Sequence, residues 1–300
     1  MTLLTGMVDP DGAGYREYYV ARCARNFSLF ELFSTFAAHQ QEWNSMGLID
    51  PWYSVLTSVR RGSNISEAQK LAFYESGVLH VTKVVQRQTM RSHRWRPSSV
   101  LDFGCGLGRL AFAFAHAWPT VTRVACVDQS ASHLRTAARE WRKRRGNTTA
   151  ELSFVQSTPD LLGALGGRRF DFVHSVLVLQ HMMPPLQVAY LEQLCDALAP
   201  NGRGFVQLPS GDAGCKLYRY PGVAWSNTWL FKREHDPCDF QASVRAGGMQ
   251  MHYTPAEDAI RALRKRGCSA HAHDAGEQYT GGGKNCHSAV LTFRKATKAS

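Results

Sequence analysis

The fold of this chain is decided by the stretch V-L-D-F-G-C-G-L-G-R, residues 100–109. Apolar strand residues end at Asp102, glycines then alternate from Gly104 to Gly108, and helix-forming residues follow. Glycine tolerates the positive φ angles that a sharp turn from strand to helix requires. The free N–H groups at the start of the new helix point toward whatever lies over the loop. The stretch therefore predicts a strand, a glycine loop and a helix that together form a binding site.

A second acidic residue narrows the ligand of this site. The next predicted strand, residues 121–127, ends at Asp128, whose carboxylate suits a ribose diol, as in a dinucleotide or S-adenosylmethionine. Dinucleotide sites use G-x-G-x-x-G to bring a pyrophosphate onto the helix. This loop instead reads G-x-G-x-G, with Asp102 two residues before the first glycine. Because a carboxylate repels phosphate and attracts sulfonium and ammonium groups, the spacing favours S-adenosylmethionine.

Three motifs carry a family resemblance. They read L-D-F-G-C-G-x-G-R at 101–109, L-Q-H-M-x-P at 179–184 and F-x-Q-L-P-S at 205–210. With these motifs the chain resembles the class I S-adenosylmethionine-dependent methyltransferases, within them the group with LDFGCGxGR and LQHMxP motifs. The resemblance continues upstream in W-x-x-x-G-x-x-D-P-W-Y-x-V-L at 43–56 and in F-Y-E-S-G at 73–77. It implies S-adenosylmethionine as cofactor and methyl transfer as the activity.

The order of predicted elements indicates the fold class. Strands and helices alternate from residue 98, which predicts a parallel sheet with crossover helices. We expect an α/β fold with a Rossmann-like, seven-stranded, mostly parallel sheet that ends in an antiparallel strand. Residues 1–95 are predicted to form a helical N-terminal extension or cap, and residues 96–300 the methyltransferase domain, with a lid-like insertion at 211–253 after strand five. Shorter features are predicted too: a helix over 66–88, a turn at 200–202 and a helix capped by Thr254.

The predicted cofactor-binding residues follow the ends of the first four strands. Asp102 and the glycines would hold the methionine end, Asp128 the ribose, and Arg109 the cofactor carboxylate. The family usually places a polar or acidic residue near the adenine amine, where this chain has Gln156 and Ser157. The full predicted set is Asp102, Gly104, Cys105, Gly106, Gly108, Arg109, Asp128, Gln129, Gln156, Ser157, Ser175 and Gln180.

Catalysis and acceptor binding are less clearly marked. His181 is the candidate general base, because an imidazole titrates near neutral pH; the alternative is a histidine that only orders the loop after strand four. The insertion is rich in aromatic residues, and Tyr218, Trp225 and Trp229 are predicted to contact the substrate. These rings could instead pack the insertion onto the N-terminal helices or form a dimer contact.

Composition limits the classes of partner. No C-x-x-C pair or acid pair after strands four and five is present, so we expect no metal. The acceptor is predicted to be a small molecule methylated on O, N or S. The net charge of +11 keeps an RNA or protein substrate open, although two basic clusters close predicted helices, where cations complement the helix dipole. A non-catalytic S-adenosylmethionine-binding subunit is the third alternative. No signal sequence or membrane-spanning segment is predicted, so we expect a cytoplasmic protein; the oligomeric state stays open.

Overall fold

The computed structural model describes residues 29–56, 62, 64–89, 95–182, 184–209, 254–275 and 288–297. The predicted lid, with Tyr218, Trp225 and Trp229, lies outside the described residues. The described helices are α1 (Leu29–Ile49), α2 (Glu67–His80), α3 (Gln86–Thr89), α4 (Arg109–Ala117), α5 (Ala131–Arg144), α6 (Leu161–Ala164), α7 (Pro184–Asp196) and α8 (Ala256–Lys265). The described strands are β1 (Ser99–Phe103), β2 (Arg123–Asp128), β3 (Glu151–Gln156), β4 (Phe170–Ser175), β5 (Leu198–Pro209), β6 (Cys268–Asp274) and β7 (Ser288–Lys295).

The sheet topology confirms the predicted fold class. The seven strands lie in the order β3-β2-β1-β4-β5-β7-β6, and the sheet is mostly parallel with an antiparallel edge strand. β1 pairs in parallel with both β2 and β4. All five residues of β1 are buried, as expected of a central strand covered on both faces. The register places Asp102 beside Cys126 on one side and His174 on the other.

Contacts within the chain define two compact units. One, called here the glycine-loop unit, comprises residues 40–175, 193–205 and 292–300. The other, called the His181 unit, comprises residues 1–39, 176–192 and 206–291. Eleven of the twelve predicted cofactor residues, from Asp102 to Ser175, belong to the glycine-loop unit. The twelfth, Gln180, and the candidate base His181 belong to the His181 unit.

The second helix begins as predicted but is interrupted. The Ser66 side chain accepts from the Gln69 N–H, and the Gln69 side chain accepts from the Ser66 N–H, which forms a capping box. Helix α2 ends at His80, and a π-helical turn, Val81–Val85, separates it from α3. The predicted single helix over 66–88 is therefore divided by a local widening of the helix, a feature that apolar spacing does not report.

Two predicted boundaries are wrong. Instead of ending in a turn at 200–202, β5 runs from Leu198 to Pro209 and includes Asn201, whose left-handed φ of 64° asparagine tolerates. Thr254 does not cap α8: the residue before the helix is Pro255, with no side-chain cap. The Thr254 hydroxyl is buried without a partner among the described residues.

The described cysteines are of two kinds. Cys105 and Cys126 are buried free thiols. Cys195 and Cys268 are each disulfide-bonded, which their scattered positions did not predict. Disulfides are rare in reducing compartments, so this observation does not favour the cytoplasmic location expected from the sequence.

Candidate functional site

The glycine loop is fixed to the neighbouring strand by its backbone. The Gly104 and Cys105 N–H groups both donate to the Val127 carbonyl, at 2.7 and 2.9 Å. The Gly106 N–H donates to Asp128 Oδ2 at 2.8 Å. These three bonds join the loop after β1 to the end of β2, so the carboxyl ends of the two strands form one rigid edge.

Glycine is required in this loop for both conformation and space. Gly106 and Gly108 have φ angles of +53° and +84°, in the left-handed region. A Cβ atom on Gly108 would lie 2.4 Å from the Phe112 ring, and one on Gly106 would lie 2.9 Å from Val55 Cγ1. The loop backbone therefore approaches its surroundings more closely than any other residue allows.

Asp102 is a buried carboxylate with one oxygen unused. Its side chain is 4% exposed, and Oδ1 lies 2.8 Å from His174 Nδ1. Oδ2 is buried and has no partner among the described residues. A buried charge is costly unless it is paired, so this oxygen is suited to a cationic group of a ligand.

Asp128 accepts hydrogen bonds from the backbone and keeps lone pairs for a ligand. Besides the Gly106 N–H, its carboxylate accepts from the Ser130 N–H at 2.8 Å. Each oxygen thus uses one lone pair on the protein and keeps a second. His133 Nδ1 lies 4.0 Å from Asp128 Oδ1, and its Nε2 lies 2.6 Å from Ser54 Oγ. Burial lowers the pKa of His133, with Asp128 acting in the opposite direction, so this ring is held mainly neutral.

Two further predicted residues carry unpaired buried atoms. Gln129 Oε1 and Ser175 Oγ are buried without a partner among the described residues. Gln156 is exposed, and its Nε2 donates to the Gln129 carbonyl at 3.1 Å. Ser157 is buried, and its N–H donates to the Asp128 carbonyl at 2.9 Å. Counting Asp102, three predicted cofactor residues thus offer polar atoms that the described protein does not satisfy.

The Cys105 and Arg109 side chains both have neighbours within the glycine-loop unit. Burial raises the pKa of the Cys105 thiol, and the neighbouring Cys126 adds to that effect, so Cys105 serves the loop through its backbone. The Arg109 guanidinium lies 5.7 Å from the centre of the Phe73 ring and 3.5 Å from Ser76 Oγ. Its predicted contact with a cofactor carboxylate stays a prediction.

The second half of α1 contacts the same edge of the sheet. The Gln40 side chain donates to the Ser157 carbonyl at 3.1 Å. Asn44 Oδ1 accepts from the Ser132 N–H at 3.1 Å, and the Asn44 carbonyl accepts from Ser132 Oγ at 2.8 Å. Gly47 lies so close that a Cβ atom there would be 2.4 Å from Ser132 Oγ. These residues, which sequence reasoning did not assign to the site, cover the ends of β2 and β3.

In the His181 unit, a chain of hydrogen bonds fixes the histidine. The Leu177 N–H donates to Gln207 Oε1 at 2.9 Å, which fixes the orientation of the Gln207 amide. Gln207 Nε2 then donates to Ser288 Oγ at 3.0 Å and to Gln180 Oε1 at 3.5 Å. Gln180 Nε2 then donates to His181 Nε2 at 3.2 Å. Because an N–H can only donate, His181 Nε2 is the unprotonated nitrogen. The imidazole is therefore a neutral ring with its proton on Nδ1.

A second buried histidine lies near His181. His39 is 1% exposed, and neither ring nitrogen has a partner among the described residues. Burial lowers the pKa of His39 to about 4, and His181 contributes to the shift. His39 is thus neutral at physiological pH.

The described part of the chain has neither a candidate metal cluster nor a membrane-spanning helix. Within residues 29–297, gaps excepted, no cluster of three or more His, Cys, Asp or Glu side chains could hold a metal ion. No described helix is both long and apolar enough to cross a bilayer.

Comparison with known proteins identifies one domain of the chain. Residues 100–202, which span the glycine loop and β1 to the middle of β5, match a family model described as a methyltransferase domain. The chain contains a methyltransferase domain. Its fold is that of the class I, S-adenosylmethionine-dependent methyltransferases. The sequence matches none of the curated proteins.

Solved structures share the fold of this methyltransferase domain at low sequence identity. Magnesium protoporphyrin IX methyltransferase (ChlM) from Synechocystis PCC 6803, with bound SAH, is 16% identical with a TM-score of 0.54, covering 86% of this chain and 98% of that one. The [4+2]-cyclase SpnF is also 16% identical, with a TM-score of 0.53, covering 86% and 96%. At such identity these matches establish the fold.

Sequence reasoning missed the two histidines that accompany the acids of the methyltransferase domain. His174 lies in the strand F-D-F-V-H-S, in which every residue except Asp171 is buried, and His133 follows the Ser130 cap by three residues. A histidine within a mostly buried strand is a detectable signal, because buried polar groups need partners. Its partner Asp102, however, is 72 residues away in sequence, and only the register of the sheet identifies it.

Proposed function

We propose that this methyltransferase transfers the methyl group of S-adenosylmethionine to an O, N or S atom of a small-molecule acceptor, without a metal ion. The observation that supports a donor site here is the group of unsatisfied buried atoms around the glycine loop: Asp102 Oδ2, Gln129 Oε1 and Ser175 Oγ. These are acceptors and a hydroxyl, which suit the ammonium, hydroxyl and amine groups of the donor.

Each residue has a proposed task in holding the donor. Asp102 Oδ2 would accept from the ammonium group, and Asp128 would accept from the ribose hydroxyls with its remaining lone pairs. Gln129, Gln156 and Ser157 would line the adenine end. When bound, S-adenosylmethionine supplies a methyl group already activated by its sulfonium. The protein's own contribution is orientation and exclusion of water, which in favourable systems supplies roughly 7–11 kcal/mol.

His181 is proposed to accept the proton of the acceptor. Its Nε2 carries a lone pair, and it follows the carboxyl end of β4 by six residues, in a short helical turn. In the described structure that lone pair is engaged by Gln180, so acceptor binding must displace the Gln180 amide before Nε2 can take a proton. The competing interpretation is that the Gln207–Gln180–His181 chain only orders this segment.

The location of the positive charge favours a small acceptor over RNA. On α5, Lys143 and Arg144 lie 3.2 and 3.0 Å from the carboxylate oxygens of Glu140, and Arg144 also reaches Glu67 at 3.1 Å. On α8 and next to it, Arg261 pairs with Asp258 at 2.6 Å and Lys265 with Glu192 at 2.9 Å. Such pairs add little stability at a surface, but they reduce the charge available to a phosphate backbone.

The test is to follow the methyl group itself. Purified protein is incubated with methyl-labelled S-adenosylmethionine and an extract of the source cells, which is then separated into small molecules, RNA and protein. We expect label in the small-molecule fraction, undiminished by EDTA. Label in RNA or protein would establish the alternative substrate class, and loss of activity on chelation that Mg²⁺ restores would refute the metal-free mechanism. No label in any fraction, with the donor bound, would indicate a non-catalytic subunit.

His181→Ala separates the two interpretations of the histidine in the same assay. As a general base it should contribute about 100-fold to turnover, with the affinity for donor unchanged. Ser288→Ala is the matched control, since it removes one bond of the same chain and leaves the imidazole in place. Wild-type turnover in the His181 variant would assign that residue an ordering role only.

The cytoplasm is proposed as the place of action, on the basis of the free thiols beside the glycine loop. The disulfide form of Cys195 and Cys268 argues against it. Rapid alkylation of the protein in its own cells, followed by mass spectrometry, decides: alkylated Cys195 and Cys268 would support a reducing compartment, and protected ones would contradict it.

A further inference from the structure

His174 is a buried residue of β4 in the glycine-loop unit. Its ring is fully buried, and Nδ1 lies 2.8 Å from Asp102 Oδ1. Asp102 and His174 are direct neighbours in the register of β1 and β4, so the backbone fixes the approach of the two side chains. Two adjacent strands in the centre of the sheet thus carry an acid and a histidine in contact.

The surroundings of His174 determine which of its nitrogens carries the proton. Nε2 is buried and has no partner among the described residues. The ring stacks on Phe205 at 5.6 Å and lies edge-on to Phe114 at 5.1 Å. It also lies edge-on to the ring of His80, at 6.1 Å. The pKa of His80 is lowered to about 3, mainly by burial and to a smaller extent by His174 and Arg109. In this apolar enclosure a bare Nε2 costs less than an unsatisfied N–H, so the proton belongs on Nδ1.

With that proton, His174 has a defined effect on Asp102. The Nδ1–H group donates to Oδ1, which sets the rotation of the Asp102 side chain. Oδ2 is then the oxygen that remains without a partner among the described residues. Hydrogen bonds to a charged group are the strong ones, and they impose geometry as well as energy. Asp102 is in this way prepared, before any ligand arrives, to receive one cation.

From these contacts we infer that His174 is a positioning residue for the donor: it holds the Asp102 carboxyl group in one orientation, so that the site selects ligands with an ammonium group on the amino-acid end. The inference rests on the proposed donor site, because Asp102 must face that end. His174 does not touch the ligand and takes part in no proton transfer. Its removal should therefore act on recognition of one part of the donor and leave recognition of the nucleoside unchanged.

The test compares two ligands and two variants by calorimetry. S-adenosylhomocysteine carries the ammonium group, and 5′-methylthioadenosine is the same nucleoside thioether without the amino-acid end. His174→Asn places an amide N–H where Nδ1 lies, whereas His174→Leu has a similar volume and no donor. Both variants leave a similar space among Phe114, Phe172 and Phe205, so the difference between them reports the hydrogen bond rather than the packing.

We expect His174→Leu to weaken S-adenosylhomocysteine about tenfold or more, with 5′-methylthioadenosine within about twofold of wild type. His174→Asn should recover most of the lost affinity, and thermal melting should give both variants the same midpoint within a few degrees. Equal weakening by Asn and Leu, or equal weakening of both ligands by Leu, would overturn the inference and leave a packing role. Failure of wild-type protein to bind S-adenosylhomocysteine would instead refute the donor site itself.

Discussion

At the scale of single residues, the site depends on acids that do two things at once. Asp128 closes the glycine loop through the Gly106 N–H, begins the segment before α5 through the Ser130 N–H, and is proposed to hold the ribose. Asp102 is similar: its Oδ1 contacts His174, and its Oδ2 is proposed to bind the ammonium group of the donor. Binding and local structure are therefore coupled at both positions, and a substitution there needs a control that perturbs structure alone.

The first prediction concerns Asp128→Ala. It removes two backbone partners and the ribose contact, so we expect weaker S-adenosylhomocysteine binding by roughly 1.5–3 kcal/mol and a lower melting temperature. Ser130→Ala is the control: it removes the cap of α5, whose Oγ accepts from the His133 N–H at 3.2 Å, and should cost about 1 kcal/mol of stability with little change in affinity. Equal affinity losses in both variants would exclude a direct role for Asp128.

At the scale of elements, α1 contributes a tight contact that sequence reasoning did not foresee. Its second half lies against the residues that follow β2 and β3, through Gln40, Asn44 and Gly47. The absence of a side chain at Gly47 permits that approach, and neighbouring Ser130 and His133 leave no room for one. The helix in this way covers the ends of β2 and β3, where the ribose and adenine are proposed to bind.

Gly47→Ala tests the contact. Alanine favours a helix over glycine by about 1 kcal/mol, but here its Cβ would lie 2.4 Å from Ser132 Oγ. We expect the clash to dominate, with a net loss of about 1–2 kcal/mol in unfolding free energy and weaker S-adenosylhomocysteine binding. Ser45→Ala, at an exposed position of the same helix, should leave both quantities unchanged. A stabilised Gly47→Ala protein with normal affinity would show that α1 does not pack closely against the site.

The insertion after β5 is predicted to close the acceptor side, on sequence grounds alone. Replacing residues 213–248 by a short Gly/Ser linker should leave donor binding within a few fold and abolish methyl transfer, because the aromatic side chains Tyr218, Trp225 and Trp229 are lost together. A folded, shortened protein that still methylates the same acceptor at a similar rate would disprove the lid.

At the scale of the whole molecule, buried histidines set the response to acid. His39 and His80 have pKa values lowered by burial to about 4 and 3, so below pH 6.5 the unfolded chain binds protons that the folded chain refuses. Their stabilising contribution is present above pH 6.5 and is lost as the pH falls. Burial raises the pKa of Glu42 to about 7. Glu42 therefore has the opposite effect on the unfolding free energy, which it lowers as the pH rises from 4.5 to 7.

The prediction is made on His39→Leu, because the contributions of His80 and Glu42 then cancel in the comparison. Between pH 7.5 and 4.5 the wild-type unfolding free energy, measured in urea, should fall by about 2–3 kcal/mol more than that of the variant. Parallel pH profiles would mean that His39 is protonated in the folded protein.

Prediction from sequence succeeded where the information is local. The glycine loop, the strand ends at Asp102 and Asp128 and the cap at Ser66 are written in consecutive residues, and the alternation of elements gave the sheet. It failed where partners are distant: the pairing of Asp102 with His174 depends on sheet register, and the contact of Gly47 with Ser132 on helix docking. Asn201 shows a third limit, since a residue that favours turns also fits a left-handed point within a strand.

The central claim is that the carboxyl edge of β1 and β2 binds S-adenosylmethionine, and calorimetric titration with S-adenosylhomocysteine tests it most directly. The account predicts one saturable site per chain, measurable heat with S-adenosylhomocysteine, and none with NAD, whose pyrophosphate Asp102 repels. No binding of S-adenosylhomocysteine, or tighter binding of NAD, would contradict the account.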